Sequence, residues 1–432
     1  MDDIQTLHGS VPRSKQRTKA KNLGMTELLK QKSFMRLLLS RILSNFGDAV
    51  DAIAYSWLVY MLTGSKLMMG TLFAVGMLPN ILLGPFAGVL VDRWSNKKVT
   101  VFSALLRGSL VFLTGLMVFT QHIEVWHLFA LSILLSSISA FANPAMMSWV
   151  THTLPKDLLL QGNSLSASIS QSARLGGYAL TGGLIAWAGI GGAFWVNALM
   201  LALSALVLFG TRGPDVSAAS AAGEEDGFMQ QFRSGAAYLF AEKKLLLIVL
   251  LVAFINFVAA PVEVLEAAYV AELLHQGPAA LSALSISLAA GMIAAGLALG
   301  GIGAKFSKGL LIISGFILHG VSLALLLLPP ALPDSNTALV FASALYFLMG
   351  FSVNLIASPM TSYLMENTPS SMLGRIGSLF NTICLSAYPL GSILVGSAAE
   401  HFELGGIYIA LGAMTLLPGA ILLANRTFRS LK

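Results

Sequence analysis

Charge is scarce in this sequence. Only 11% of its 432 residues are Asp, Glu, Lys or Arg, while 56% are hydrophobic. A water-soluble domain carries roughly 25% charged residues. A soluble fold of this length is therefore excluded for want of a solvating surface, and a bilayer becomes the expected solvent. Cysteine is nearly absent, and the single Cys384 rules out an internal disulfide. Also missing are a metal-ligand cluster, a recognisable nucleophile–base arrangement and a nucleotide loop of the G-x-x-x-x-G-K-S/T type. An enzyme and an ATP-driven motor are accordingly not expected, nor is a metal or cofactor. The net charge of +6 does not point to nucleic acid, because the basic residues fall in short clusters between apolar runs without interleaved aromatics.

What is present is a series of long apolar runs. A helix needs about 20 apolar residues to cross roughly 30 Å of hydrocarbon. That length predicts twelve spans, near 34–62, 67–91, 99–120, 125–150, 163–188, 190–211, 245–273, 280–303, 309–328, 337–363, 374–399 and 404–424. An even count puts both termini on one side, and the distribution of Lys and Arg marks that side as cytoplasmic. One set of loops holds Arg93, Lys97, Lys98, Lys156, Arg212, Arg233, Lys243, Lys244, Lys305, Lys308 and Arg375, whereas the other holds only Lys66. A multi-pass protein of the cell membrane follows. Its expected contacts are membrane lipid and a small molecule, with no nucleic acid, and the chain is expected to act as a monomer.

The spans divide six and six. Residues 1–33 read as a cytoplasmic tail, 34–211 as a first six-helix bundle, 245–424 as a second, and 425–432 as a closing tail. Residues 212–244 read as a linker, small and polar at first. Phe228, Phe232 and Leu239 then recur at roughly helical spacing, which suits a helix on the inner membrane surface. The halves also look alike. "NPAMMSWVTHTLP" in span four resembles "ASPMTSYLMENTP" in span ten, and Asp48-x-x-Asp51 has a counterpart in Glu263-x-x-Glu266 at an offset of 215. Parallel six-span repeats are a transporter plan with the cargo site near the midplane between the halves.

After span two runs "GPFAGVLVDRWSNKKV". Gly88, Asp92, Arg93 and Lys97 fall on a pattern found there in the major facilitator superfamily, with Ser95 in place of the usual glycine. The twelve-span layout, the long central loop and "GRIGSL" at the start of span eleven extend the resemblance over almost the whole chain. The branch it is most similar to is the twelve-span drug-efflux group that includes macrolide and siderophore exporters. Asp92 is an acid at the C-terminal end of a helix, an unfavourable place by the macrodipole argument, so a compensating partner is expected. The resemblance implies that this partner is the start of span eleven, near Gly374 and Arg375, forming a cytoplasmic latch. The alternative is that the basic residues of this loop only fix topology. In span five "RLGGYALTGG" has Tyr178 where proton antiporters of the family often carry a proline.

Asp48 and Asp51 lie one helical turn apart near the middle of span one. An ionised side chain at mid-bilayer costs several kcal/mol by most accounts, so it should face a watery cavity or a partner. The resemblance places spans one, four, seven and ten around the central cavity, hence Asp48, Asp51, Glu263 and Glu266 on cavity-lining helices. Arg174 in span five lies at nearly the depth of Asp48 and is the expected counter-charge, giving a structural pair. Arg41 and Arg107 lie nearer the cytoplasm, and no basic residue is obvious at the level of Asp51. For Glu263 and Glu266 the alternatives are proton exchange in a desolvated site or a water-filled outer vestibule, which Glu266 fits better. The resulting expectation is an all-α secondary transporter that exports small amphipathic molecules, with the proton gradient as energy source. The alternatives are another direction or cargo on the same fold, or a receptor that does not transport.

Overall fold

A computed structural model describes residues 28, 30–92, 94–155, 158–211, 236–302, 305–369 and 373–429. Without water to satisfy it, the backbone of a long apolar run satisfies itself as a helix. The helices are α1 (Lys32–Thr63), α2 (Lys66–Asp92), α3 (Asn96–Phe119), α4 (Val125–Thr153), a continuous stretch Leu159–Phe209, α7 (Lys243–Ala268, extended by a π-helical turn Tyr269–Leu273), α8 (Pro278–Ile302), α9 (Lys308–Leu325), α10 (Ser335–Asn367), α11 (Leu373–His401), α12 (Leu404–Ala424) and the short α13 (Arg426–Arg429). As one rod, the 51 residues of Leu159–Phe209 would measure about 75 Å, more than twice the hydrocarbon thickness. The stretch breaks at Gly189, where φ is 72° and ψ 177°, a conformation open to a residue without Cβ. This gives α5 (159–188) and α6 (190–209).

Among the described residues, ten stretches are long and apolar enough to cross a membrane. The pair α5–α6 counts once among them, and α1 falls short because Arg36, Arg41, Asp48 and Asp51 dilute its hydropathy. The architecture is all-α, with twelve spans in two six-helix bundles, α1–α6 and α7–α12. Pro144 inside α4 and Pro359 inside α10 stand at the same offset as Asp48 and Glu263. The surface helix expected in the linker falls largely on residues 212–235, outside the described residues. Residues 236–241 are helical, and Leu239 is buried in the core of the second bundle.

The apolar cores show how the bundles sit together. At the end away from the chain termini they share one core, in which Val50, Trp57 and Leu201 cluster with Val262, Tyr269 and Tyr408. At the terminal end the cores are separate. One is built around Phe34, Trp149 and Leu208, the other around Ile248, Ile313 and Met360. The bundles therefore meet at the far end and part toward the termini.

Small residues permit the meeting. A Cβ added to Gly70 of α2 would stand 2.2 Å from the Ser392 carbonyl oxygen of α11, and one on Gly182 of α5 would stand 2.6 Å from Cα of Ala279 in α8. Toward the terminal end, Cβ atoms on Gly84 of α2 or Gly377 of α11 would meet nothing within 4 Å. Polar clamps reinforce the far end. Lys66 Nζ lies 2.8 Å from Glu272 Oε2. Glu400 Oε1 accepts hydrogen bonds from Ser65 Oγ at 2.6 Å and from the Leu67 amide at 3.0 Å, while Ser65 Oγ accepts from the Met68 amide at 3.2 Å. The first turn of α2 is thus capped by its own serine and by a carboxylate of the opposite bundle, where the helix dipole favours negative charge.

Gly70→Ala should force α2 and α11 apart, and Glu400→Ala should remove the cap. Both are expected to speed labelling of a single cysteine at Ser56, in a Cys384→Ser background, by a membrane-impermeant maleimide from the far side. Gly70→Ala should also lower the unfolding midpoint, since overpacking costs about 1–3 kcal/mol. Unchanged labelling in both variants would show that these contacts do not hold the far end shut.

Candidate functional site

Bordered by the shared core, with Ile53, Val59, Met69, Leu72, Val264 and Leu281 in its wall, lies a cavity of about 390 Å³ between the two bundles. Helical spacing brings its polar residues to one face at a time. Asp51, Tyr55 and Ser56 come from α1, Ser132 and Ser136 from α4, and Glu263 and Glu266 from α7; Asn80 of α2, Tyr178 of α5 and Ser285 of α8 complete the polar wall. The helices that carry the acids, α1 and α7, are the repeat-related pair, so the duplication places acid on both sides of the gap.

The three carboxylates differ in setting. Asp51 Oδ1 is buried without a hydrogen-bond partner, and Asn197 of α6 is its polar neighbour. Glu263 is exposed to the cavity, where the charge of Arg174 acts on it across the gap. Glu266 is only 8% exposed and accepts hydrogen bonds from Ser285 Oγ at 3.3 and 3.5 Å. A wetted outer vestibule, which the sequence suggested for Glu266 before Glu263, is therefore corrected. Glu266 is the more enclosed of the two, because the turn that carries it packs into the shared core beside Leu265 and Ala267.

Asp48 faces a different space. It does not pair with Arg174, as depth along the helices suggested; Asp48 Oδ1 accepts from Arg107 Nη2 at 2.7 Å. Arg107 starts about 7 Å nearer the terminal end, counting 1.5 Å per residue from each helix start, and its long side chain spans the difference. Arg174 Nη2 instead donates to Tyr178 Oη, one turn along α5, at 3.2 Å. That bond ties Tyr178, the residue in the proline's place, to the only arginine of α5.

The expected latch is described only in part. Arg93 lies outside the described residues, as do the side chains of Gly88, Asp92, Gly374 and Arg375; these four belong to α2 and α11. Lys97 is described. Its Nζ donates to the Thr211 carbonyl at 3.0 Å and stands 5.7 Å from the Phe209 ring, tying α3 to the end of α6 within the first bundle.

Sequence reading missed the small polar wall. Asn80 Nδ2 donates to Ser136 Oγ at 2.7 Å, joining α2 to α4 at the cavity edge, and Ser285 supports Glu266. The available signal was serine recurring at helical spacing inside apolar spans, as at Ser132 and Ser136.

Arg107→Gln should leave Asp48 unpaired and destabilise the protein by about 1–3 kcal/mol. The double variant Asp48→Asn with Arg107→Gln should recover much of that loss. Thermal unfolding of the four proteins in a double-mutant cycle checks the coupling; additive effects would mean that the pair contributes nothing as a pair.

A sequence model described as Major Facilitator Superfamily matches residues 37–392. Macrolide efflux protein A of Streptococcus pyogenes is 24% identical over 354 residues, covering 82% of this chain and 86% of that protein. The multidrug efflux pump Tap of Mycolicibacterium fortuitum is 24% identical, covering 91% and 95%. Among solved structures, the nucleoside transporter NupG superposes with a TM-score of 0.71 at 11% identity, covering 91% and 98%. A bacterial homologue of the iron transporter ferroportin, in an inward-facing state, gives 0.69 at 15% identity, covering 93% and 99%. These structures share the fold.

Proposed function

Because the chain belongs to the major facilitator superfamily, we propose that it is a secondary active transporter exporting small amphipathic molecules in exchange for protons, by alternating access. The observation that carries this reading is the cavity between the bundles, lined by Asp51 of α1 and by Glu263 and Glu266 of α7. A carboxylate in a site of low dielectric is costly as a bare charge, so it is neutralised by a proton or by a cation. Either can displace the other, and that competition is the chemistry of antiport. The apolar remainder of the wall, including Leu72, Phe73, Met77 and Leu135, suits the greasy part of a cargo, and the acids suit a cationic one. Efflux-named relatives across most of the chain support the outward direction.

In this scheme the protein lies in the cell membrane as a monomer with both termini in the cytoplasm, and the end at which the bundles part faces the cytoplasm. Cargo enters from that side or from the inner leaflet and displaces protons from the acids. The bundles then rock. The terminal end closes, and the far end opens by breaking Lys66–Glu272 and the Glu400 cap. Protons from the more acidic exterior rebind the carboxylates and release the cargo outside. A ligand with no preference between the two states would move nothing; proton and cargo each supply that preference through the same carboxylates.

The test is transport in liposomes containing only this protein, with an imposed pH gradient and a cationic amphipathic dye. Uptake should be abolished by an uncoupler. Asp51→Asn and Glu263→Gln should each lower gradient-driven transport by about tenfold or more, as expected for loss of a titrating group that takes part in the coupled step, with unfolding midpoints near that of the wild type. Undiminished proton-driven transport in both variants would remove these acids from the mechanism.

A further inference from the structure

Inside the first bundle, apart from the gap between the bundles, a second cavity of about 440 Å³ opens among α1, α3, α4, α5 and α6. Its wall is mixed, with Ser44, Thr100, Ser103, Asn143 and Asn163 among the polar residues and Met146, Met147 and Leu208 among the apolar ones. Three ionisable residues line it, namely Arg41, Asp48 and Arg107. Asp48 is engaged by Arg107 Nη2, so one carboxylate answers two guanidiniums. A guanidinium keeps its charge at any physiological pH, which leaves one positive charge in excess. Arg41 Nη1 donates to Ser166 Oγ at 2.9 Å, and among the described residues Arg41 has no ion-pair partner. Arg107 lines the same space with its side chain 20% exposed.

These features select the occupant. An apolar group would leave the excess charge unbalanced. A cation would be repelled. An oxyanion balances the charge and accepts charge-assisted hydrogen bonds from both guanidiniums. We infer that this cavity is a binding site for a small oxyanion, a phosphate or carboxylate group, held by Arg41 and by the exposed part of the Arg107 side chain. The anion shares Arg107 with Asp48, so the carboxylate is its competitor. Two sources offer that chemistry, a soluble anion or the headgroup of an anionic lipid.

The test is thermal unfolding of the full chain purified in detergent, titrated with inorganic phosphate against chloride at equal ionic strength. A second arm repeats the measurement in nanodiscs of phosphatidylcholine with or without phosphatidylglycerol. Occupancy should raise the midpoint with anion concentration. Arg41→Gln should weaken the apparent affinity by about tenfold or more, as for loss of one charge-assisted partner, and Arg41→Lys should keep most of it. Asp48→Asn, which removes the competing carboxylate, should tighten it. A rise with phosphate assigns a soluble anion, and a rise with phosphatidylglycerol alone assigns a lipid headgroup. Should Arg41→Gln not fold, the opposite-sign effect of Asp48→Asn still reads the site. The inference falls if neither anion raises the wild-type midpoint, or if the rise is the same in the wild type and in every variant that folds.

Discussion

An ionised group inside a bilayer must find water or an opposite charge, and the arrangement of this protein follows from that requirement. Four acids on α1 and α7 sit where lipid would exclude them. Asp48 takes Arg107 as a partner within its own bundle. Glu266 turns toward Ser285, and Glu263 toward open space within reach of Arg174. Asp51 keeps one oxygen buried without a partner. A single helix could not host these groups in hydrocarbon; two bundles that enclose a gap can.

The closure of that gap is uneven. One apolar core joins the bundles at the far end, with glycine–backbone approaches between α2 and α11 and between α5 and α8. At the other end each bundle keeps its own core. Cores of this kind are close-packed, so the far end is held shut by many small contacts acting together.

The fold was legible because its signals are one-dimensional. Span length, loop charge and the repeated proline and acid positions are properties of the chain read end to end. Gly189 falls between the fifth and sixth apolar runs, and only there does the long helical stretch break. Pairing was not legible in the same way. Depth along α5 favoured Arg174 as the partner of Asp48, yet the reach of the Arg107 side chain and the nearness of Tyr178 decided otherwise. The enclosure of Glu266 depends on which face of α7 meets the shared core, and the serine and asparagine wall depends on how several helices turn toward one another. Neither is a property of any single span. The family pattern at Asp92 and Arg375 identifies two helix ends, but what their side chains touch is a matter of assembly.

The cap on α2 has a further consequence. Because Glu400 belongs to the other bundle, the start of α2 is finished only while the far end is shut. Separating the bundles strips the Leu67 amide and the Ser65 hydroxyl of their shared acceptor and hands them to water. A cap of this sort is worth about 1 kcal/mol, a bias of a few-fold in population. Secondary structure and the contact between the bundles are in this way written into the same carboxylate: parting the far end would loosen one helical turn, at a cost small enough for thermal motion to repay.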